Sequence, residues 1–101
     1  MNEKKILEAA IAKWGVEEQL IILSEECSEL SHAALKHRKS IEYDLSHGKL
    51  EKSFNHLAEE IGDVEIMIAQ MRLALPTIDE KIAEFRSQKL ERLEKILKVK
   101  Q

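Results

Sequence analysis

The sequence predicts an all-α fold, and its composition gives the reasons. Its 101 residues are 44% hydrophobic and 35% charged, yet they include only three glycines and one proline. Sandwiches and barrels depend on Gly and Pro for their tight turns, whereas a chain rich in Glu, Lys, Leu, Ile and Ala favours long helices. Because this length supports one hydrophobic core, residues 1–101 are expected to form a single domain.

Four helices follow from the spacing of apolar residues. The first is expected at about residues 3–13, where Gly15 stops it, and the second at about residues 16–39. The pattern dissolves over residues 40–52, which predicts a loop or a broken turn. The third helix begins near residue 49 or 53 and ends at residue 75, before Pro76. A capping box of Thr77 and Glu80 then begins the fourth helix, at about residues 78–99.

The second and third helices carry apolar residues at alternating steps of three and four, which predicts a packing seam. The seam residues are Leu20, Leu23, Cys27, Leu30 and Ala34, then Phe54, Leu57, Ile61, Val64, Ile68, Met71 and Leu75. After Ile61 the third helix is apolar around most of its circumference, as in a helix enclosed on nearly every side. One short chain can hardly enclose it, so we expect a four-helix bundle-like module completed by homo-oligomerisation.

Charge and cysteine content exclude several classes of function. The formal net charge is −3, from 16 basic and 19 acidic residues, which disfavours nucleic acid and anionic membranes as partners. A helix-turn-helix is also disfavoured, because the seams are too long for that small fold. Cys27 allows no internal disulfide and is expected to be a small buried group. With no apolar run that could span a membrane and no signal-like N-terminus, a cytoplasmic location is expected.

Two acidic pairs repeat beside the seams. Glu26 and Glu29 lie on the second helix, Glu60 and Asp63 on the third, and residues three apart share a helical face. Carboxylates brought together there repel one another and lose hydration, unless they are protonated or a cation neutralises them. All-oxygen ligands favour Mg²⁺, with Mn²⁺ as a substitute, over zinc.

Other interpretations of the charged residues stay open at this point. The acids could be solvated or salt-bridged, as Glu17 and Glu18 are expected to be. Di-iron bundles need a Glu-x-x-His motif on each of two helices, and the third helix has none, because Asp63 stands three residues after Glu60. His56 could at most support Glu60 from a second shell. On the fourth helix, Lys89 and Arg92 extend the stripe of apolar residues Ile78, Ile82 and Phe85. They would either meet phosphate oxygens or lie at the rim, with the stripe shifted to Leu90, Leu93 and Leu97.

The order of these motifs resembles a known family. Glu25-Glu26-x-x-Glu29, followed by Glu60-x-x-Asp63, resembles the EExxE and ExxD signature of the MazG-like all-α nucleoside triphosphate pyrophosphohydrolases. The context is similar too, from Trp14-Gly15 and Gln19 to the segment of residues 57–64, and the likeness covers roughly residues 14–75.

The resemblance implies a function and roles. Members hydrolyse NTPs or dNTPs to the monophosphate and pyrophosphate, and they assemble as dimers or tetramers. By position, Glu26, Glu29, Glu60 and Asp63 would be Mg²⁺ ligands, and Glu25 would touch a second ion or orient a water. The residues implied to bind substrate are Lys89, Arg92, Gln19 and Trp14. Trp14 would stack on the base, unless it plugs the junction of the first two helices.

Two hypotheses remain. In the first, the chain is a Mg²⁺-dependent pyrophosphohydrolase, in which water attacks between the α and β phosphates. In the second, it is a non-catalytic helical oligomerisation or adaptor module whose acids are structural, with or without nucleotide binding.

Overall fold

The computed structural model describes residues 1–43 and 47–99. Within them the chain forms four α-helices and no strand, which confirms the predicted all-α class. The helices are α1 (Glu3–Trp14), α2 (Val16–Tyr43), α3 (His47–Ala74) and α4 (Ile78–Val99). Over the described ranges, no helix is both long enough and apolar enough to cross a membrane.

The ends of α1 have clear local causes. The side-chain oxygen of Asn2 accepts a hydrogen bond of 2.9 Å from the backbone N–H of Lys5 and so caps the first turn. At the other end, Gly15 adopts a φ of 83°, which disfavours any residue with a side chain, and its N–H donates to the Ile11 carbonyl. This glycine turns the chain directly from α1 into α2.

The turn between α3 and α4 differs from the predicted capping box. The N–H of Ile78 donates to the Leu75 carbonyl at 2.9 Å, and Arg72 forms a 2.7 Å ion pair with Asp79 across the turn. These contacts, rather than side-chain caps from Thr77 and Glu80, hold the described part of this boundary. The predicted start of α4 at residue 78 is confirmed.

The predicted loop at residues 40–52 is wrong over most of its length. Helix α2 continues through residue 43 and α3 begins at residue 47, while residues 44–46 lie outside the described part of the chain. The sequence pattern dissolves there because the inner face of the helix pair becomes polar. The Ser53 hydroxyl donates to the Leu50 carbonyl at 3.0 Å and accepts from His37 Nδ1 at 2.8 Å. Polar contacts replace apolar packing without ending either helix.

Helices α2 and α3 form a long antiparallel pair on which the fold is built. Helix α1 packs against both, whereas α4 contacts α3 alone among the described elements. A single chain therefore does not close into a four-helix bundle. The radius of gyration is 17.5 Å, against about 13 Å for a compact domain of this length.

The predicted seam is only partly the interface inside the chain. Val64 and Met71 are buried as expected, but Leu20, Cys27 and Ala34 on α2 are exposed. The buried positions also include residues outside the seam, namely Gln19, Ala33, Ser53, Glu60 and Met67. Each helix has two apolar rows, and one chain covers only one of them. The covered row is the one that carries the acids.

The uncovered rows lie side by side on the α2–α3 pair, and we call them the outer face. Its members are Leu20, Cys27, Ala34 and Ile41 on α2 and Leu50, Phe54, Ile61 and Ile68 on α3. The two rows meet where Ile41, Leu50 and Phe54 line one cavity, and the ring of His37, beside the row on α2, lies 5.8 Å from the ring of Phe54. Residues seven apart recur after two turns, so each row runs along its helix as one stripe.

The total exposed area shows how much surface the chain leaves uncovered. The chain exposes 8292 Å², whereas a compact monomer of this mass exposes about 5,900 Å². The excess of about 2,400 Å² is comparable with one partner's share of a large obligate interface.

Candidate metal centre

Three of the predicted acids converge where α2 and α3 face each other. Glu26, Glu60 and Asp63 each place a carboxylate oxygen within 4.8 Å of the others. Glu60 is buried, with 5% of its surface exposed, and Glu26 and Asp63 are half-buried. The antiparallel pairing brings the two distant sequence motifs to one level of the hairpin. We call these three residues the acidic triad.

The chain gives two of the triad oxygens no partner. Among the described residues, Oε2 of Glu26 and Oε2 of Glu60 are buried without a hydrogen bond. His56 Nδ1 lies 3.9 Å from Glu60 Oε1, which is too long for a hydrogen bond. Because an unpaired buried carboxylate is costly, these groups need either a proton or a cation that neutralises them.

The electrostatics of the triad point in the same direction. Burial raises the pKa of Glu60 above its ordinary value, and the negative charges of Glu29 and Asp63 raise this pKa further. Burial also raises the pKa of Glu26, with added repulsion from Glu29, Asp63 and Glu60. A divalent cation would reverse both effects, because it replaces lost hydration and opposes the clustered charge.

The donor set fits a small, hard cation. All candidate ligand atoms are carboxylate oxygens, the donors that Mg²⁺ and Mn²⁺ favour. Opposite ligands of Mg²⁺ are about 4.2 Å apart, and the triad oxygens already lie within 4.8 Å of one another.

The remaining predicted acids lie around the triad rather than in it. Glu29 is exposed, but it is near enough for its charge to raise the pKa of both Glu26 and Glu60. Glu25 is exposed too, and its spacing of four residues from Glu29 places both on one side of α2. The two acids therefore border the solvent side of the site.

The structure does not bring the predicted substrate-binding residues into the triad. Lys89 and Arg92 are exposed on α4, which, among the four described helices, contacts α3 alone. Gln19 is buried, with 5% of its surface exposed. Trp14 is 54% exposed, with Lys13 Nζ 5.1 Å from its ring centroid, so it does not plug the junction of α1 and α2.

Two other expectations about single residues are wrong. Cys27 is exposed rather than buried, because it belongs to the outer face. On α4, Ile78 and Ile82 are half-buried but Phe85 is 54% exposed, because the helix leaves α3 after its first turns. Leu90, Leu93 and Leu97 are exposed as well, so neither proposed stripe of α4 is internal in one chain.

Sequence reasoning missed one buried polar residue near the site. Gln70 is 6% exposed, and its Oε1 has no hydrogen-bond partner among the described residues. It follows Asp63 by seven residues, which is two helical turns on the same face. The signal was present as a glutamine inside an otherwise apolar stretch.

Comparisons of the chain with protein-family models, curated proteins and solved structures found no match.

Proposed function

We propose that this chain is a Mg²⁺-dependent nucleoside triphosphate pyrophosphohydrolase of the MazG-like type. It would convert an NTP or dNTP and water into the monophosphate and pyrophosphate. The observation that carries the proposal is the acidic triad, with two buried oxygens that the described chain leaves unpartnered. The motif order Glu25-Glu26-x-x-Glu29 and Glu60-x-x-Asp63 supports the substrate class.

Each acid has a proposed role. Glu26, Glu60 and Asp63 would hold the ion, with Glu29 as a fourth ligand from the exposed side. When bound, Mg²⁺ supplies charge neutralisation at the phosphate oxygens. Glu25 is exposed and lies four residues before Glu29, on the same side of α2, and we assign its carboxylate to accept the proton of the attacking water.

The reaction assigned to these groups is an attack on the α phosphorus. The water oxygen forms a bond to that phosphorus, the bond from phosphorus to the bridging α–β oxygen breaks, and pyrophosphate leaves. The proton lost by the water goes to Glu25. The exposed ring of Trp14 is a candidate surface for base stacking, and contacts from Gln19, Lys89 and Arg92 to substrate remain predictions.

We also propose that a second copy of the chain covers the outer face. The apolar rows on α2 and α3 are exposed, and the excess surface of one chain is comparable with a large interface share. A two-fold pairing of hairpins would enclose both rows and build a bundle of helices that one chain does not close.

The test is hydrolysis in ¹⁸O-labelled water. The chain is incubated with each NTP and dNTP plus Mg²⁺, the products are separated, and their masses are measured by mass spectrometry. Attack on the α phosphorus places the label in the monophosphate, whereas attack on the β phosphorus places it in pyrophosphate. Glu60→Gln and Asp63→Asn should abolish turnover, while Glu65→Gln, an exposed acid on the same helix, should leave it unchanged.

The adaptor hypothesis predicts a different set of results. Its specific support is the outer face, which an oligomerisation module needs and an enzyme does not require. If no nucleotide is consumed at any Mg²⁺ or Mn²⁺ concentration while the oligomer persists, the adaptor hypothesis replaces the enzyme.

A further inference from the structure

One side of the α2–α3 hairpin carries a row of lysines beyond the acidic triad. Lys36, Lys49 and Lys52 line a cavity of about 580 Å³ together with Ser40, Ser53 and His56. A neighbouring cavity of about 450 Å³ shares Lys36 and His56 and adds Lys39 and His32. We call this continuous surface the lysine cleft.

The charges along this side change in the same order on both helices. On α2, Glu29, His32 and Lys36 follow one another at steps of three and four residues, which keeps them on one face. On α3 the order is antiparallel: Lys52, His56 and Glu60 are each four residues apart. Along both helices, the side chains therefore change from acid to imidazole to lysine in the same direction, away from the acidic triad and toward the α2–α3 connection.

The lysine cleft is continuous with the candidate metal centre. His56 lines both cavities of the cleft, and its Nδ1 is 3.9 Å from Glu60 Oε1. The backbone of Lys52 is about 12 Å from that of Glu60 along the axis of α3, at 1.5 Å per residue. The flexible side chain of Lys52 can therefore extend toward the triad. A ligand that contacts both the lysine cleft and the candidate metal centre must be extended and must carry several negative charges.

The composition of the cleft favours an anionic ligand. Among the described residues that line the two cavities, four are lysines and none is acidic. Lysines gathered at one surface repel one another, and they bind phosphate oxygens through charged hydrogen bonds. The formal net charge of the chain is −3, so the group of lysines is a local feature rather than part of a general basic surface for nucleic acid.

We infer that the lysine cleft is a polyphosphate subsite, in which Lys36 and Lys52 bind the phosphates that lie beyond the metal. This inference rests on the proposed function for the identity of the substrate, since it orients the nucleotide with its terminal phosphates toward the α2–α3 connection. The same phosphate chemistry is offered by a nucleoside triphosphate and by an inorganic polyphosphate.

The test separates binding at the cleft from catalysis. Calorimetric titration with inorganic tripolyphosphate, without divalent metal and then with Mg²⁺, compares wild type with the double variant Lys36→Gln/Lys52→Gln. Lys4→Gln/Lys81→Gln is the matched control, because it removes two exposed lysines from α1 and α4. Nucleoside mono- and triphosphates are titrated in parallel, and KM and kcat are measured with the triphosphate.

We expect the cleft variant to bind tripolyphosphate at least about tenfold more weakly, as for the loss of charged hydrogen bonds. Its KM for the triphosphate should rise by a similar factor, with its affinity for Mg²⁺ and for the monophosphate unchanged. The control should match wild type.

The outcomes of this test are distinct. Turnover with unchanged KM and unchanged tripolyphosphate affinity in the cleft variant overturns the subsite and leaves the proposed function standing. Equal weakening of mono- and triphosphate binding also overturns the subsite, because the cleft would then contact the nucleoside. Lysine-dependent tripolyphosphate binding without any hydrolysis keeps the subsite and overturns the enzyme.

Discussion

The outer face offers the sharpest test of assembly, through the substitution Phe54→Ala. Phe54 is 58% exposed in one chain. Complete burial of a large apolar side chain contributes about 1.5–3 kcal/mol, so covering the exposed part of Phe54 should contribute about 0.9–1.7 kcal/mol. A two-fold interface contains the residue twice, which gives about 2–3.5 kcal/mol for the dimer.

This free energy sets the expected change in affinity. At 1.4 kcal/mol for each factor of ten, the dissociation constant of the Phe54→Ala dimer should rise about 20- to 300-fold. Sedimentation velocity over a concentration series measures that constant directly. Circular dichroism at high concentration should show the same helix content as wild type, because the ring is mostly outside the intrachain core.

A matched control is available on α4. Phe85 is 54% exposed, nearly as much as Phe54, but it lies outside the outer face. Phe85→Ala should change the dissociation constant by less than about threefold. Equal weakening by both substitutions, or no weakening by Phe54→Ala, would show that the hairpin faces do not form the primary interface.

Three further predictions concern the site. Glu60→Gln should raise the melting temperature of the metal-free protein, because it removes a charge from the triad. In thermal melts, Mg²⁺ should stabilise wild type and the control variant Glu65→Gln but not Glu60→Gln. Because the pKa values of Glu26 and Glu60 are raised, the folded state holds protons that the unfolded state releases, so metal-free stability should fall as pH rises from 4.5. Melts in EDTA between pH 4.5 and 7 should show this fall in wild type and a smaller one in Glu60→Gln; equal slopes would contradict the assignment. Gln70→Met should raise the melting temperature by a few degrees, since it removes an unpartnered buried acceptor. A lower melting temperature together with unchanged turnover would show that Gln70 makes a stabilising contact with another group.

Much of the fold follows from local sequence signals. The 3–4 spacing of apolar residues predicted the helical class, Gly15 predicted the start of α2, and Pro76 with the residues after it predicted the start of α4. These signals act through short-range backbone geometry. The loop at residues 40–52 was mispredicted because a hydrogen bond between Ser53 and His37, rather than apolar packing, joins α2 and α3 beside it. That contact depends on tertiary structure and leaves no periodic trace.

The choice between two apolar rows also lay beyond the sequence. The alternating spacing found the outer face, with Phe54 and Ile61, but it could not tell a seam inside the chain from a face that one chain leaves exposed. The triad was predicted better, because Glu26, Glu60 and Asp63 interrupt an apolar row and the interruption repeats on both helices. Burial of Glu60 and the isolation of its Oε2 required coordinates.

The long hairpin also has a kinetic consequence. His37 and Ser53 are 16 residues apart and can meet as soon as the ends of α2 and α3 nearest their connection pair. Glu26 and Glu60 are separated by a longer stretch of chain, so closing that contact costs more loop entropy and comes later if pairing spreads from the connection. A cation bound between them would then act after the main barrier to folding, lengthening the lifetime of the native state while leaving the rate of its formation nearly unchanged.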